Sequence, residues 1–333
     1  MNTLQTRFGS GQEVQRLEDD ALLAGRGQFT DDVEHAGQTR LCFVRSPHPH
    51  ARITSIDTAA AAAMPGVRLV LTGAELQAAG VKIMAKPIMH KRADGGRPAS
   101  PDRHLLAVER VRFVGECVVA VVADTEQQAR DAAEAVQVNY EPLPHAVTLA
   151  DALAPNAPLL SDAPDNKVAE SRHGDAAQAQ AAFARARHVV ELDITNQRVV
   201  ALSIEPRSVQ AHIDQGRLVV RMSSQMPTGI RTQICDLLGL KESQVRVLVG
   251  DVGGGFGMKT GAYPEDILVA YCAHRLQRPV KWIAERAEEF LSSSHGRDIQ
   301  CHGALALDEH GKILALRIHT LANVGAYPGM TGV

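Results

Sequence analysis

The chain has 333 residues, 45% hydrophobic and 22% charged, a soluble globular mixture long enough for two domains. With 35 basic against 38 acidic residues and 4% aromatics, it lacks the basic excess and the stacking surface of a nucleic-acid binder. No apolar run approaches the roughly 18 residues of a membrane span, and the first twenty residues hold no apolar core of a secretory signal.

The segment LLAGRGQFTDDV (22–33) is punctuated by glycine. TRLCFVR (39–45), HARITSI (50–56) and VRLVL (67–71) read as strands, and residues 82–103, with scattered Lys, Arg, Gly and Pro, as an exposed excursion. CVVAVVA (117–123) is a continuous apolar run, suited to a strand buried on both faces. TEQQARDAAEAVQ (125–137) reads as a helix with Thr125 as N-cap, followed by a strand over 136–141. Between 142 and 186 the chain turns rich in Pro, Ala and Asp, a composition that predicts a crossing segment rather than a core.

The second half opens with a strand over 187–195 and a hairpin over 208–224 that turns at Asp214-Gln215-Gly216. A helix follows over 227–239, with Pro227 in its first turn and Gly239 as its terminator. A strand over 244–252, a helix over 264–277 and a second hairpin over 300–322 complete the pattern, which is α+β. The five cysteines (Cys42, Cys117, Cys235, Cys272 and Cys301) are widely spaced with no CxxC pair, so buried, reduced thiols of a cytoplasmic protein are expected.

The chemically distinctive stretch is GDVGGGFGMKTGAY, at the junction of a strand and a helix. Gly253, Gly254, Gly255 and Gly257 remove nearly every Cβ there, which lets backbone N–H groups approach a bulky or anionic ligand. Lys259 and Thr260 fall where a Walker A motif needs them, but Met258 occupies the position of its second glycine, and the same residue spoils a dinucleotide-binding G-x-G-x-x-G. The residues alone therefore predict a glycine-lined contact loop for an unassigned ligand. The histidines His48, His50, His302, His310 and His319 and the segment Glu205-Pro206-Arg207 read as structural or surface residues, and Glu116 as a capping or ion-pairing group.

VRVLVGDVGGGFGMK (245–259) resembles the GGGFGGK loop of the molybdenum hydroxylases, the large subunits of the xanthine dehydrogenase, aldehyde oxidase and carbon monoxide dehydrogenase family. Residues 16–33 are similar to the opening of the bacterial large subunits. FVRSPHPHARI (43–53) and 111–144 are similar to the family's a/b hammerhead domain, and IEPRSVQAHID (204–214) and 223–240 to the start of its molybdopterin-binding domain. The resemblance implies an N-terminal extension over 1–18, a hammerhead domain over 19–145, a linker over 146–186 and the first part of the molybdopterin-binding domain over 187–333. It implies hydroxylation by water at a molybdenum held by a molybdopterin dinucleotide of the cytosine type. Electrons would pass to iron–sulfur clusters and FAD on separate small and medium subunits. Gln225 matches the glutamine that hydrogen-bonds near the molybdenum oxo ligand, Phe256 and Gly257 the pair that packs on the metal and pterin, and Gly254 and Gly255 the residues of close approach. Gly255→Val is then expected to intrude on the cofactor's space.

Two departures from the pattern matter. Met258 replaces the second glycine of GFGGK, and Thr260 stands where xanthine-oxidising members carry a substrate-binding glutamate, which points to an aldehyde, a nitrogen heterocycle or carbon monoxide rather than a purine. The family's general-base glutamate has no counterpart here, so no catalytic residue is assignable, and the expected missing partner is the C-terminal half of the large subunit. The isolated chain is expected to be inactive. The competing expectation is a truncated, non-catalytic remnant or assembly module without molybdenum.

Overall fold

The computed structural model describes residues 15–84, 91–93, 95–159 and 165–328; most of the expected N-terminal extension and part of the excursion at 82–103 lie outside them. In the first half a short helix α1 (Asp19–Leu23) precedes β1 (Thr39–Arg45), β2 (Ala51–Asp57), α2 (Ala59–Ala62), β3 (Val67–Thr72) and α3 (Gly73–Ala78). Then come β4 (Arg110–Val111), β5 (Cys117–Ala123), α4 (Glu126–Ala135) and β6 (Gln137–Pro142). The apolar run of β5 is buried at all seven positions, as its composition predicts. Thr125 caps α4 in a reciprocal capping box with Gln128, which satisfies two of the helix's orphan donors.

The stretch read as a linker carries two helices, α5 (Leu149–Leu153) and α6 (Ala176–Ala184). The second half continues through β7 (His188–Asn196), β8 (Val199–Val200), β9 (Ser208–Asp214), β10 (Arg217–Met222), α7 (Pro227–Leu238), β11 (Val245–Leu248) and α8 (Pro264–Leu276). It ends with β12 (Val280–Ile283), α9 (Arg286–Ser292), β13 (His295–Gly296), β14 (Ile299–Leu307) and β15 (Ile313–Ala322). The β9–β10 turn uses positive φ at both Gln215 and Gly216, the geometry whose twist matches a two-residue hairpin. Gly239 closes α7 in the left-handed conformation. Strand β11 is shorter than the alternation over 244–252 predicts, because the chain leaves the sheet before the glycines.

The two halves share one seven-stranded sheet, ordered β11-β10-β9-β12-β1-β5-β3. The seam is the parallel pairing of Thr39 and Arg40 in β1 with Val280 and Lys281 in β12. Lys281 is fully buried at that seam; its ammonium reaches Asp31 at 2.8 Å and Glu34 at 3.0 Å, which ties the glycine-punctuated segment to the second half. Helices α7 and α8 enclose a core with β9, β10 and β12, in which Ile230, Ile234, Ile267 and Leu268 are all but fully buried. A second core forms where Val118, Val119 and Val121 of β5 meet α4 and the small β4-β2-β6 sheet. The remaining sheets are the three-stranded β15-β14-β7 and the two-stranded β13-β8.

Candidate functional site

Strands β10 and β11 run parallel, side by side, and each ends in a junction that leads to a helix. The β10–α7 junction carries Gln225; the β11–α8 junction carries the glycine loop. Both open beyond the carboxyl ends of their strands, where crevices of parallel sheets take up ligands.

The tip of the loop is a tight turn from Gly255 to Met258, closed by the Met258 N–H donating to the Gly255 carbonyl at 2.8 Å. Its two central residues have positive φ, +50° at Phe256 and +88° at Gly257. Glycine accepts this freely, but a phenylalanine in the left-handed region is strained by about 1–3 kcal/mol. The strained residue is presented outward, with Phe256 76% exposed, whereas the adjacent Met258 side chain is buried.

The turn is held from below. The Gly257 N–H donates to Gln225 Oε1 at 3.0 Å, and the Gln225 N–H donates to the Lys259 carbonyl at 2.9 Å. Tyr263 donates its hydroxyl to the Met258 carbonyl at 2.8 Å, and Thr260 donates to the Gly257 carbonyl at 2.7 Å. Because Gln225 Oε1 is committed to Gly257, its amide orientation is set, and Nε2 faces outward with no acceptor among the described residues. A Cβ on Gly255 would lie 2.5 Å from the Gln225 amide. A side chain at 255 would therefore have to push the exposed Gln225 amide aside, whereas the left-handed backbone sits at its neighbours Gly254, Phe256 and Gly257.

Beneath the loop lies a charged cluster that motif spacing does not announce. Lys259, 2% exposed, donates to the Glu205 carbonyl at 2.8 Å and to Ser223 Oγ at 2.7 Å, and sits 3.3 Å from Glu205 Oε2. Burial pushes its pKa down, against the pull of Glu205. Ser223 donates to Glu205 Oε2, which also accepts the Gly253 N–H at 2.8 Å. The lysine aligned with the Walker position therefore points into the protein and braces the loop. Glu205-Pro206-Arg207, read as structural, supplies the other half of the brace.

Arg207 lies deeper and is buried. Its guanidinium stacks 4.0 Å from the Tyr263 ring centroid and pairs with Glu265 at 3.3 Å, while the Arg207 backbone N–H donates to Glu289 Oε1. Arg45 meets the same Glu265 at 2.7 Å. Burial alone would raise the Glu265 pKa, but the facing Arg207 and Arg45 charges outweigh it and hold the carboxyl at about 2. Burial pushes its neighbour Asp266 up to about 7, although the Tyr263 N–H donates to that carboxylate.

The other residues singled out from sequence sit elsewhere. Glu116 accepts from the Arg112 N–H at 2.6 Å and the Tyr327 hydroxyl at 2.7 Å, a buried structural carboxyl whose pKa burial raises. His48 packs edge-on to Tyr140, His50 faces the Pro144 carbonyl, and His302 pairs with Asp193 at 2.8 Å. All five cysteines are unpaired thiols. Among the described residues no helix is long and apolar enough to cross a membrane.

Residues 24–144 match the model of the aldehyde oxidase and xanthine dehydrogenase a/b hammerhead domain, and residues 159–333 the model of the molybdopterin cofactor-binding domain. The chain is 36% identical to the nicotine 6-hydroxylase large subunit of Paenarthrobacter nicotinovorans, over 97% of this chain and 39% of that one. It is 37% identical to the carbon monoxide dehydrogenase large chain of Afipia carboxidovorans, over 96% of this chain and 40% of that one. The solved structure of quinoline 2-oxidoreductase from Pseudomonas putida 86 superimposes with a TM-score of 0.84 at 34% identity, covering 95% of this chain and 40% of that one. The chain thus spans about 40% of the length of the curated relatives it matches.

Proposed function

Because the chain belongs to the molybdenum hydroxylase family of aldehyde oxidase and xanthine dehydrogenase large subunits, we propose that its two strand-to-helix junctions form one wall of a molybdenum–pterin site. The observation that carries this reading is the Gly255–Met258 turn, which displays an aromatic ring at a strained backbone position beside an outward-facing amide. Such a wall fits a planar, polar cofactor. Phe256 offers a face to pack on, Gly254 makes room for the Phe256 ring and Ser203, Gly257 leaves the backbone open, and Gln225 Nε2 is free to donate to an oxo group without adding charge. The Lys259–Glu205–Ser223 brace keeps the wall in register.

The assembly is proposed to hydroxylate an aldehyde, a nitrogen heterocycle or carbon monoxide with water in the cytoplasm. The cofactor, a molybdopterin dinucleotide of the cytosine type, supplies the two-electron acceptor, and partner subunits with iron–sulfur clusters and FAD take the electrons onward. Residues 19–145 act as the hammerhead unit, 146–186 as the connection and 187–333 as this chain's share of the cofactor domain. Glu205 and Glu265 under the loop are already engaged by Lys259, Arg207 and Arg45; the general base is proposed to come from outside this chain, and the chain alone should be inactive.

Two variants of the complete assembly test the site. Gly255→Val drives a branched side chain into Gln225, displaces the amide and opens the turn, and should abolish molybdenum retention. Gln225→Ala removes one neutral hydrogen bond, about 0.5–1.5 kcal/mol, and should lower turnover while most molybdenum stays bound. Full molybdenum content and activity in Gly255→Val would make the loop a mere connector.

A further inference from the structure

Residues 27–35 form a strap across the face of the seven-stranded sheet opposite helices α7 and α8. Val280 and Trp282 of β12 belong to the core that the helices cover. Lys281 between them points the other way, and its ammonium donates to the Asp31 carbonyl at 2.6 Å and the Val33 carbonyl at 3.2 Å. Beside Lys281 in register lies Gln210 of β9, and beside Gln210 lies Arg221 of β10. His35 of the strap stacks on His212 of β9, with 4.0 Å between ring centroids. The strap therefore rests on a polar surface, and neither Phe29 nor Val33 joins an apolar core. Gln210 is 1% exposed, yet its amide oxygen and nitrogen have no partner among the described residues, and nor does Nδ1 of His212. Such a seat gains little from packing, so its position depends on the polar contacts at its edges.

One of those contacts reaches the glycine loop. The Gln28 N–H donates to Asp251 Oδ2 at 2.6 Å, across 223 residues of sequence. The two stretches also meet backbone to backbone. A Cβ on Gly250 would lie 2.9 Å from the Gln28 carbonyl oxygen, and one on Gly27 would lie 3.5 Å from Asp251 Oδ2 and 2.9 Å from the Leu22 side chain. Neither glycine has positive φ, so these positions need close approach and not an unusual conformation. The start of the loop is thereby gripped twice. Glu205 Oε2 accepts the Gly253 N–H at 2.8 Å, and Asp251, two residues earlier, is fastened to the strap.

We propose that Asp251 is a positioning residue: through the Gln28 N–H it locks the strap to the base of the glycine loop and so sets where the Phe256–Gly257 turn stands. Gly253, Gly254 and Gly255 have no side chains with which to fix the course of the chain, so the groups that hold its ends decide it. The lock itself is independent of any ligand. Its consequence for turnover rests on the reading of the turn as a cofactor wall.

Hydrogen exchange read by mass spectrometry on the full chain tests the lock without cofactor. Asp251→Ala should speed exchange in peptides covering 25–33 and 252–260 together by about tenfold or more, the scale of losing one hydrogen bond to a charged acceptor, while α7 is unchanged. Asp251→Asn keeps an acceptor oxygen and should restore most of the protection. Gly250→Ala pushes the Gln28 carbonyl away by contact and should reproduce the effect with Asp251 intact. Faster exchange in the strap alone, or an equal rise in α7, overturns the proposal. In the complete assembly, Asp251→Ala should lower kcat with KM nearly unchanged and alter the Mo(V) electron paramagnetic resonance signal. Coupled exchange of strap and loop with an unaltered signal would leave the lock standing and sink the cofactor-wall reading.

Discussion

The two large sheets of this protein handle the same requirement differently. The seven-stranded sheet is built from both halves of the chain and is covered on both faces, so that β5 buries every residue. The three-stranded sheet takes a helix on one side and leaves leucines, isoleucines and valines bare on the other. Alternation along a strand tells which residues share a face; it does not tell what covers that face. One sheet is covered within the chain, and the other keeps large apolar side chains in solvent on one face.

The contrast is most sharply broken at the buried charges behind the seven-stranded sheet. Arg207→Met leaves Glu265 buried with only Arg45 to face it, and should cost about 3–5 kcal/mol in urea unfolding. A loss below about 1 kcal/mol would show that the network tolerates an apolar replacement. Leu71→Ala, at a fully buried position of β3, should cost about 2–5 kcal/mol through lost burial and the cavity left behind; equilibrium unfolding measures it, and a neutral result would mean that this core is loosely packed.

Asp266 adds a pH dependence on the same side of the molecule. Its folded pKa, raised by burial to about 7, lies above the unfolded value of about 3.9, so the folded state holds a proton that the unfolded state releases. Its contribution is present at low pH and is lost as pH rises from about 4 to about 7. Glu265, held at about 2, acts in the opposite sense, and its contribution is lost only as pH falls toward 2. Asp266→Asn should therefore flatten the decline in stability between about pH 4 and about pH 7 in paired denaturation curves. An unchanged slope would mean that Asp266 is already ionised in the fold.

The smallest effect belongs to the bare sheet. Leu192→Ala should change the stability of the isolated chain by no more than about 0.5 kcal/mol, since the side chain is mostly in water already. The same substitution type at Leu71 and at Leu192 then measures how far the two sheets differ. Equal losses would show that the three-stranded sheet is covered in solution.

Much of the fold was legible along the chain. The apolar run at 117–123, Thr125 before a helix-forming stretch, Pro227 and Gly239 around α7, and Gln215-Gly216 between alternating runs each carry a local cause, and each element appears where that cause puts it. The glycine loop was legible as a contact loop because consecutive missing Cβ atoms are a backbone property. The brace beneath it was not. Lys259, Glu205 and Ser223 are far apart in sequence, and a lysine in a glycine-rich loop reads as a ligand-facing cation until the fold turns it inward. Arg45, Arg207 and Glu265 were equally silent, since a charged residue in sequence carries no sign of which other charge will face it. The helices in the Pro- and Ala-rich stretch were masked by the composition around them.

Sequence by itself determined the period of most strands and helices, the turns that glycine and proline enforce, and the family to which the loop motif points. Those are local matters, decided by φ, ψ and side-chain shape within a few residues. Tertiary structure alone decided that β1 joins β12 and makes one sheet of two halves, that the Gln225 side chain lies against Gly255, and that the three-stranded sheet keeps large apolar side chains on one exposed face. Each of these depends on groups distant in sequence meeting in space, and burial and charge pairing are set only there.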